Sequence, residues 1–176
     1  MIKILYLILA ITLCGCKFGG HRDSEMTMPT HCMMSTTFTT AFSVYENDCG
    51  PIAEYQILRN IGQFHKLGDI IEAMGWSQKH PDITDSLMNH TKMLKMFGID
   101  HKARLSALNM TDLIERIQKN RPSLIMLKLS TVSYHWVVFL GIYNGKVMMS
   151  WGDGSLKMMS IAEFNGKFNG TGIIYF

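Results

Sequence analysis

Three residues of types that do covalent chemistry stand out by their positions: a thiol at Cys49, an imidazole at His135 and a carboxylate at Asp153. Cys49 lies in "ENDCGPIAEYQILRNIG", directly before apolar spacing that predicts a helix. At a helix N-terminus the unsatisfied N–H groups and the macrodipole favour negative charge, so a thiol there is pushed toward thiolate, the nucleophilic form. A cysteine needed only for packing has no reason to sit at that point. His135 opens "HWVVFLGIY", at a strand end where a side chain can protrude from a sheet and act as the base such a thiol requires. A two- or three-residue loop at Asn144-Gly145 predicts that Asp153 falls directly opposite His135 or one position away. Cβ atoms of opposed residues are about 4.5 to 5.5 Å apart, close enough for a carboxylate to hold an imidazole nitrogen. Asn144, the competing candidate for that role, sits in the turn, roughly 30 Å along the strands from His135, and is set aside.

The elements that must position these residues are also legible. Ile52, Ala53, Ile57, Leu58 and Ile61 recur at helical spacing, Pro51 sits in the first turn, and Gly62 closes the segment. "LGDIIEAMG" predicts a short second helix, and "ITDSLMNHTKMLKMFGI" a third with Leu87, His90 or Thr91, Leu94 and Phe97 on one stripe. Thr111 is placed to cap a fourth over 112–119, ended by Arg121-Pro122. The pattern then changes: "SLIMLKLS", "HWVVFLGIY", "KVMMSW", "SLKMMS" and "GIIYF" predict strands, broken by Asn144-Gly145, 152–154 and Asn165-Gly166. The nearly continuous apolar run after His135 predicts a central strand covered on both faces. A helical half carrying the thiol at a helix start, followed by an antiparallel sheet, is an α+β architecture.

At 176 residues and 47% hydrophobic composition the chain suits one domain. A formal net charge of +3 without a run of Lys or Arg argues against nucleic acid as a partner. His21, His31, His65, His80, His90 and His101 show no CxxC or HExxH partnering, so no metal and no cofactor is expected. The methionines within the predicted elements read as packing. Lys3, the apolar "ILYLILAITL" and Leu13-Cys14-Gly15-Cys16 predict a secretion signal over 1–15, its apolar run shorter than the roughly 20 residues that span a bilayer. The tetrad resembles the bacterial lipoprotein signal. That likeness implies export across the inner membrane, a mature chain beginning at lipid-modified Cys16, and attachment to a membrane surface, periplasmic or cell-surface. The polar stretch 16–35 reads as a tether and 36–176 as the domain. Cys32 falls in that tether with no evident scaffold beside a helix start, so it is expected to remain unpaired with Cys49. The competing readings make Cys49 a buried structural thiol or the disulfide partner of Cys32.

"NDCGPIAEYQIL", "HWVVFLGIYNGKVMMSWGDGS" and "MSIAEFNGKFNGTGIIYF" together resemble the papain-like cysteine peptidases, in particular the domains that cleave double-glycine leader peptides from bacteriocins. The resemblance covers roughly 43–176. It implies a papain-like fold in which Cys49 is nucleophile, His135 general base and acid, and Asp153 the residue orienting His135. Where that family has a glutamine for the oxyanion hole this chain has Ser43, leaving Ser43, Asn47 or a backbone N–H near Cys49 as the donor. The expected function is a thiol hydrolase of peptide bonds with a peptide or protein substrate. The same constellation serves a glutamine deamidase or an acyltransferase, and a degenerate site would leave a binding lipoprotein.

Overall fold

The computed structural model describes residues 32–33, 49–75, 86–151 and 155–176. Among the described residues, five helices, α1 (Cys49–Asn60), α2 (Leu67–Ala73), α3 (Leu87–Met96), α4 (Met110–Gln118) and α5 (Ile161–Lys167), accompany one antiparallel sheet. Its strands are β1 (Cys32–Met33), β2 (His101–Arg104), β3 (Ser123–Lys128), β4 (Tyr134–Tyr143), β5 (Lys146–Ser150), β6 (Leu156–Ser160) and β7 (Phe168–Tyr175). The order is β2-β7-β3-β4-β5-β6, with β1 pairing separately against β4. The architecture is α+β, as the change of periodicity along the chain predicts.

β4 is central, and Trp136 to Ile142 are buried without interruption. Ser150 lies opposite Val138, and Val138 opposite Leu124. Ser150 Oγ donates to Gln56 Oε1 at 2.8 Å, so this row of the sheet faces α1. Phe139, the next residue of β4, alternates to the other face, where its ring meets Phe164 of α5 at 6.0 Å between centroids. A strand packed on both faces needs apolar residues at successive positions, which is why the alternation usual in a half-exposed strand is missing here.

The hairpin joining β4 to β5 has a two-residue loop, since Tyr143 pairs with Lys146. Asn144 and Gly145 both take positive φ, 49° and 70°, the geometry for which Asn-Gly is favoured. A register shift between Phe139 and Gly141 then displaces the pairing by one residue toward Ser150.

Four elements differ from the sequence-based expectations. α4 begins at Met110 and is capped by Asn109, whose side chain and Asp112 form a reciprocal capping box, instead of by Thr111. Asn165-Gly166 lies inside α5, where the sequence predicts a break between strands. The sheet gains β2 from the helical half of the chain. Cys32 and Met33, within the stretch expected to be a tether, pair with Ile142 and Gly141 of β4. β3 stops at Ser123, opposite Phe139, and β1 supplies the ladder beyond it. The segment 1–15 expected to be a signal, Cys16 and the remainder of 16–35 lie outside the described residues.

Candidate active site

Cys49 is the first residue of α1, followed by Gly50 and Pro51, all three buried. Pro51 suits the first turn because its missing N–H is one that helix geometry leaves without an intrahelical partner, and no acidic side chain occupies that turn. Cys49 is present as a thiol and is 8% exposed. His135 is the second residue of β4, half-buried, paired across the ladder with buried Leu127. Asp153, Asn47 and Ser43 lie outside the described residues.

α1 packs against β4, and polar contacts fix its position. Gln56, seven residues after Cys49, is tied to Ser150 beside Val138. Glu54 is fully buried, with Oε1 2.7 Å from His90 Nδ1 of α3 and Oε2 accepting from Tyr175 OH at 2.7 Å. The His90 ring in turn lies 4.5 Å from that of Trp136, the neighbour of His135. A carboxylate buried this completely is tolerated only when its oxygens are hydrogen-bonded, and here both are. Burial, then the charge and hydrogen bond of Glu54, hold the Tyr175 phenol well above its ordinary value, so it stays a donor.

Trp151 covers His135, their ring centroids 4.5 Å apart and their planes inclined by 30°. Lys157 Nζ also lies over Trp151, 4.3 Å from the ring centroid. Trp151 N–H donates to Ser155 O at 2.8 Å, which closes the connection from β5 to β6 in which residue 153 falls.

Sequence reasoning passed over Trp151, Glu54 and Tyr175. The Trp151 signal was available, because hairpin pairing carries the end of β5 back toward the start of β4. For Glu54 the only signal was a carboxylate next to Ala53 on the inward side of α1, and its partner Tyr175 is 121 residues away. His90 is a core histidine, as its place on the α3 stripe suggests, with Nδ1 held by the Glu54 carboxylate and Nε2 buried without a hydrogen-bond partner among the described residues.

No protein-family model and no curated protein sequence matches the chain. Solved structures do. The peptidase domain of Streptococcus ComA, a bi-functional ABC transporter involved in quorum sensing, superposes with a TM-score of 0.64 at 15% identity, over 78% of this chain and 98% of that one. A double-glycine-motif protease from an AMS/PCAT transporter, solved with its leader peptide, gives 0.62 at 16% identity, over 79% of this chain and 91% of that one. The peptidase domain of Streptococcus mutans ComA gives 0.54 at 16% identity, over 76% and 95%. The chain has the fold of these papain-like peptidase domains, as the resemblance in its motifs implies.

Proposed function

We propose that the chain is a thiol hydrolase that cuts a peptide bond through an acyl-enzyme on Cys49, exported and held on a membrane surface by lipid on Cys16. The observation that carries this reading is Cys49 at the first residue of a helix packed on the strand that His135 enters, within a peptidase fold. The anchors of α1 support their convergence. Glu54 reaches Trp136 through His90, and Gln56 reaches the level of Val138 through Ser150, so α1 and β4 advance in the same direction. Seven residues back along α1 is about 10 Å. Three residues back along β4, from Val138 to His135, is also about 10 Å. For the third member, the pairing Val138↔Ser150 brings the end of β5 to within three residues of His135 on β4, and Asp153 follows Ser150 by three.

In this reading His135 takes the Cys49 proton, and the thiolate attacks the substrate carbonyl to form a tetrahedral oxyanion. The backbone N–H of Cys49, with Asn47 or Ser43, stabilises that oxygen. Collapse breaks the C–N bond as imidazolium protonates the leaving amine, and a thioester remains. Water deprotonated by His135 then releases the acid and regenerates the thiol. Asp153 holds the imidazole, and Trp151 screens it. If an amine replaces water the same thioester yields transfer, and if the acyl group is a glutamine side chain the outcome is deamidation. By analogy with the double-glycine-motif protease, the substrate is a peptide cut after paired glycines.

Cys32 bears on the same reading. It pairs with Ile142, seven residues from His135 along β4, about 23 Å. A disulfide needs Cα atoms within about 7 Å, so a Cys49 beside His135 is out of reach of Cys32.

The test is a peptide ending in Gly-Gly that carries an acyl-directed electrophile, with the adduct mapped by mass spectrometry. Cys49 is expected to be modified, and His135→Ala to slow modification about 10²-fold or more, the scale of general-base assistance. Modification of Cys49 at the same rate in His135→Ala, or a native Cys32–Cys49 bridge, would refute the catalytic reading. Ser43 in place of the family's glutamine favours a second reading, a lipoprotein that binds peptides without cutting them. Peptide binding with no adduct would select it. For the anchor, Cys16→Ser is expected to release the protein from membranes or block its processing, and an unmodified mature N-terminus would refute lipidation.

A further inference from the structure

α4, β2 and β7 line an open pocket of about 280 Å³, separated from β4 by β3 in the sheet order. Four cationic side chains line it, Arg104, Arg116, Lys119 and Arg121, against two carboxylates, Asp112 and Glu115. Asp112 Oδ2 is already engaged, accepting from the Asn109 N–H at 2.9 Å in the α4 capping box. The ion pairs among the described residues are His90–Glu54 and Lys167–Glu163, so neither carboxylate neutralises a pocket cation directly.

Two features make this more than a charged surface. Arg104 Nε is buried and has no hydrogen-bond partner among the described residues. The Arg104 side chain as a whole is partly exposed, so a turn of its guanidinium would bring that donor an acceptor in the pocket. Arg116 is held rigidly, its Nε donating to Ser123 Oγ at 3.0 Å and its Nη2 to the backbone oxygen of Tyr175. Its pKa is pushed down to about 10, first by burial and then by the charge of Arg121, as expected where like charges are gathered without a counter-ion. Guanidinium groups present paired donors that match the oxygens of a tetrahedral anion, and an excess of two positive charges matches a dianion better than a single carboxylate.

We propose that this pocket binds a phosphate group, carried either by a small soluble molecule or by a lipid headgroup. The binding is independent of Cys49 and of any hydrolase activity. Titration calorimetry of the full chain with pyrophosphate, orthophosphate and glycerol 3-phosphate tests it, with chloride as control. Saturable one-to-one binding is expected that weakens as salt rises. Tighter binding of glycerol 3-phosphate would assign a lipid source, and tighter binding of the inorganic anions a soluble one. Lys119 and Arg121 are exposed, so Lys119→Ala/Arg121→Ala is expected to keep the unliganded melting temperature while losing at least tenfold in affinity. Arg104→Gln supplies a second variant at the buried donor, and Cys49→Ala is expected to bind like the unaltered chain. Absence of saturable binding, or affinity unchanged in both pocket variants, would overturn the proposal.

Discussion

Glu54, buried on α1 between His90 and Tyr175, ties two elements that are remote in sequence, α3 and β7, to the helix carrying Cys49. Losing the Tyr175 hydroxyl leaves Glu54 Oε2 without that donor in a site closed to water. Tyr175→Phe is therefore expected to cost about 1 to 3 kcal/mol at neutral pH, read from chemical denaturation. The pH dependence has a defined sign. Folding holds the Tyr175 pKa well above the ordinary 10.0, so above that pH the unfolded chain loses its proton first. Stability from this group is present below pH 10 and declines as pH rises beyond it. Tyr175→Phe lacks that decline, so its deficit relative to the unaltered chain narrows in alkali. Arg116 also shifts in this range and is coupled by charge to Tyr175, so the difference between the two proteins reads the tyrosine together with its effect on Arg116. A deficit that stays constant up to pH 11 would contradict the assigned network.

At the scale of elements, the close approach of β7 to β3 depends on Gly172. A Cβ there would overlap the backbone oxygen of Leu124 and lie 2.9 Å from Leu108 Cδ1. The first obstacle is ladder backbone and cannot rotate away. Gly172→Ala is accordingly expected to destabilise by about 3 kcal/mol, the upper part of the range for overpacking, with a lower denaturation midpoint as the readout. The unexpected α5 has a related cause. Asn165-Gly166 favours a turn locally, but Ser160 caps a helix by accepting from the Glu163 N–H at 3.1 Å. Phe164 then buries its ring between Phe139 and Phe168, at 6.0 and 5.1 Å. The single short turn and one buried aromatic outweigh the local preference.

For the whole molecule, the decisive feature is a central strand with helices on both faces. Phe139 is fully buried and couples the sheet to α5, whereas Val138 beside it belongs to the layer facing α1. Phe139→Ala is expected to cost about 3 to 5 kcal/mol by cavity formation and loss of transfer energy. Urea denaturation followed separately by far-UV and near-UV circular dichroism measures it. Because both layers share β4, the two signals are expected to be lost together. A near-UV signal surviving with helix content lost would show that the layers fold separately.

The helix start at Cys49, the central strand entered by His135, the Asn144-Gly145 hairpin and the α+β class were all legible in the order of residues alone. Each rests on local chemistry: a proline permitted in a first helical turn, an apolar run too continuous for a half-exposed strand, a dipeptide that accepts two positive φ values. What local chemistry could not decide were pairings between distant segments. β2, a polar tetrapeptide "HKAR", is a strand only because Tyr175 to Gly172 of the last strand lies beside it. Cys32 and Met33 pair with β4 only because β3 ends short of them. The shift between Phe139 and Gly141, which moves the β4–β5 pairing by one residue so that Val138 meets Ser150, has no local signature beyond a glycine at φ 128°. Trp151 over His135 and Glu54 between His90 and Tyr175 likewise require the assembled fold, because a side chain's partner across the sheet is fixed by register and layer packing and not by its neighbours in sequence.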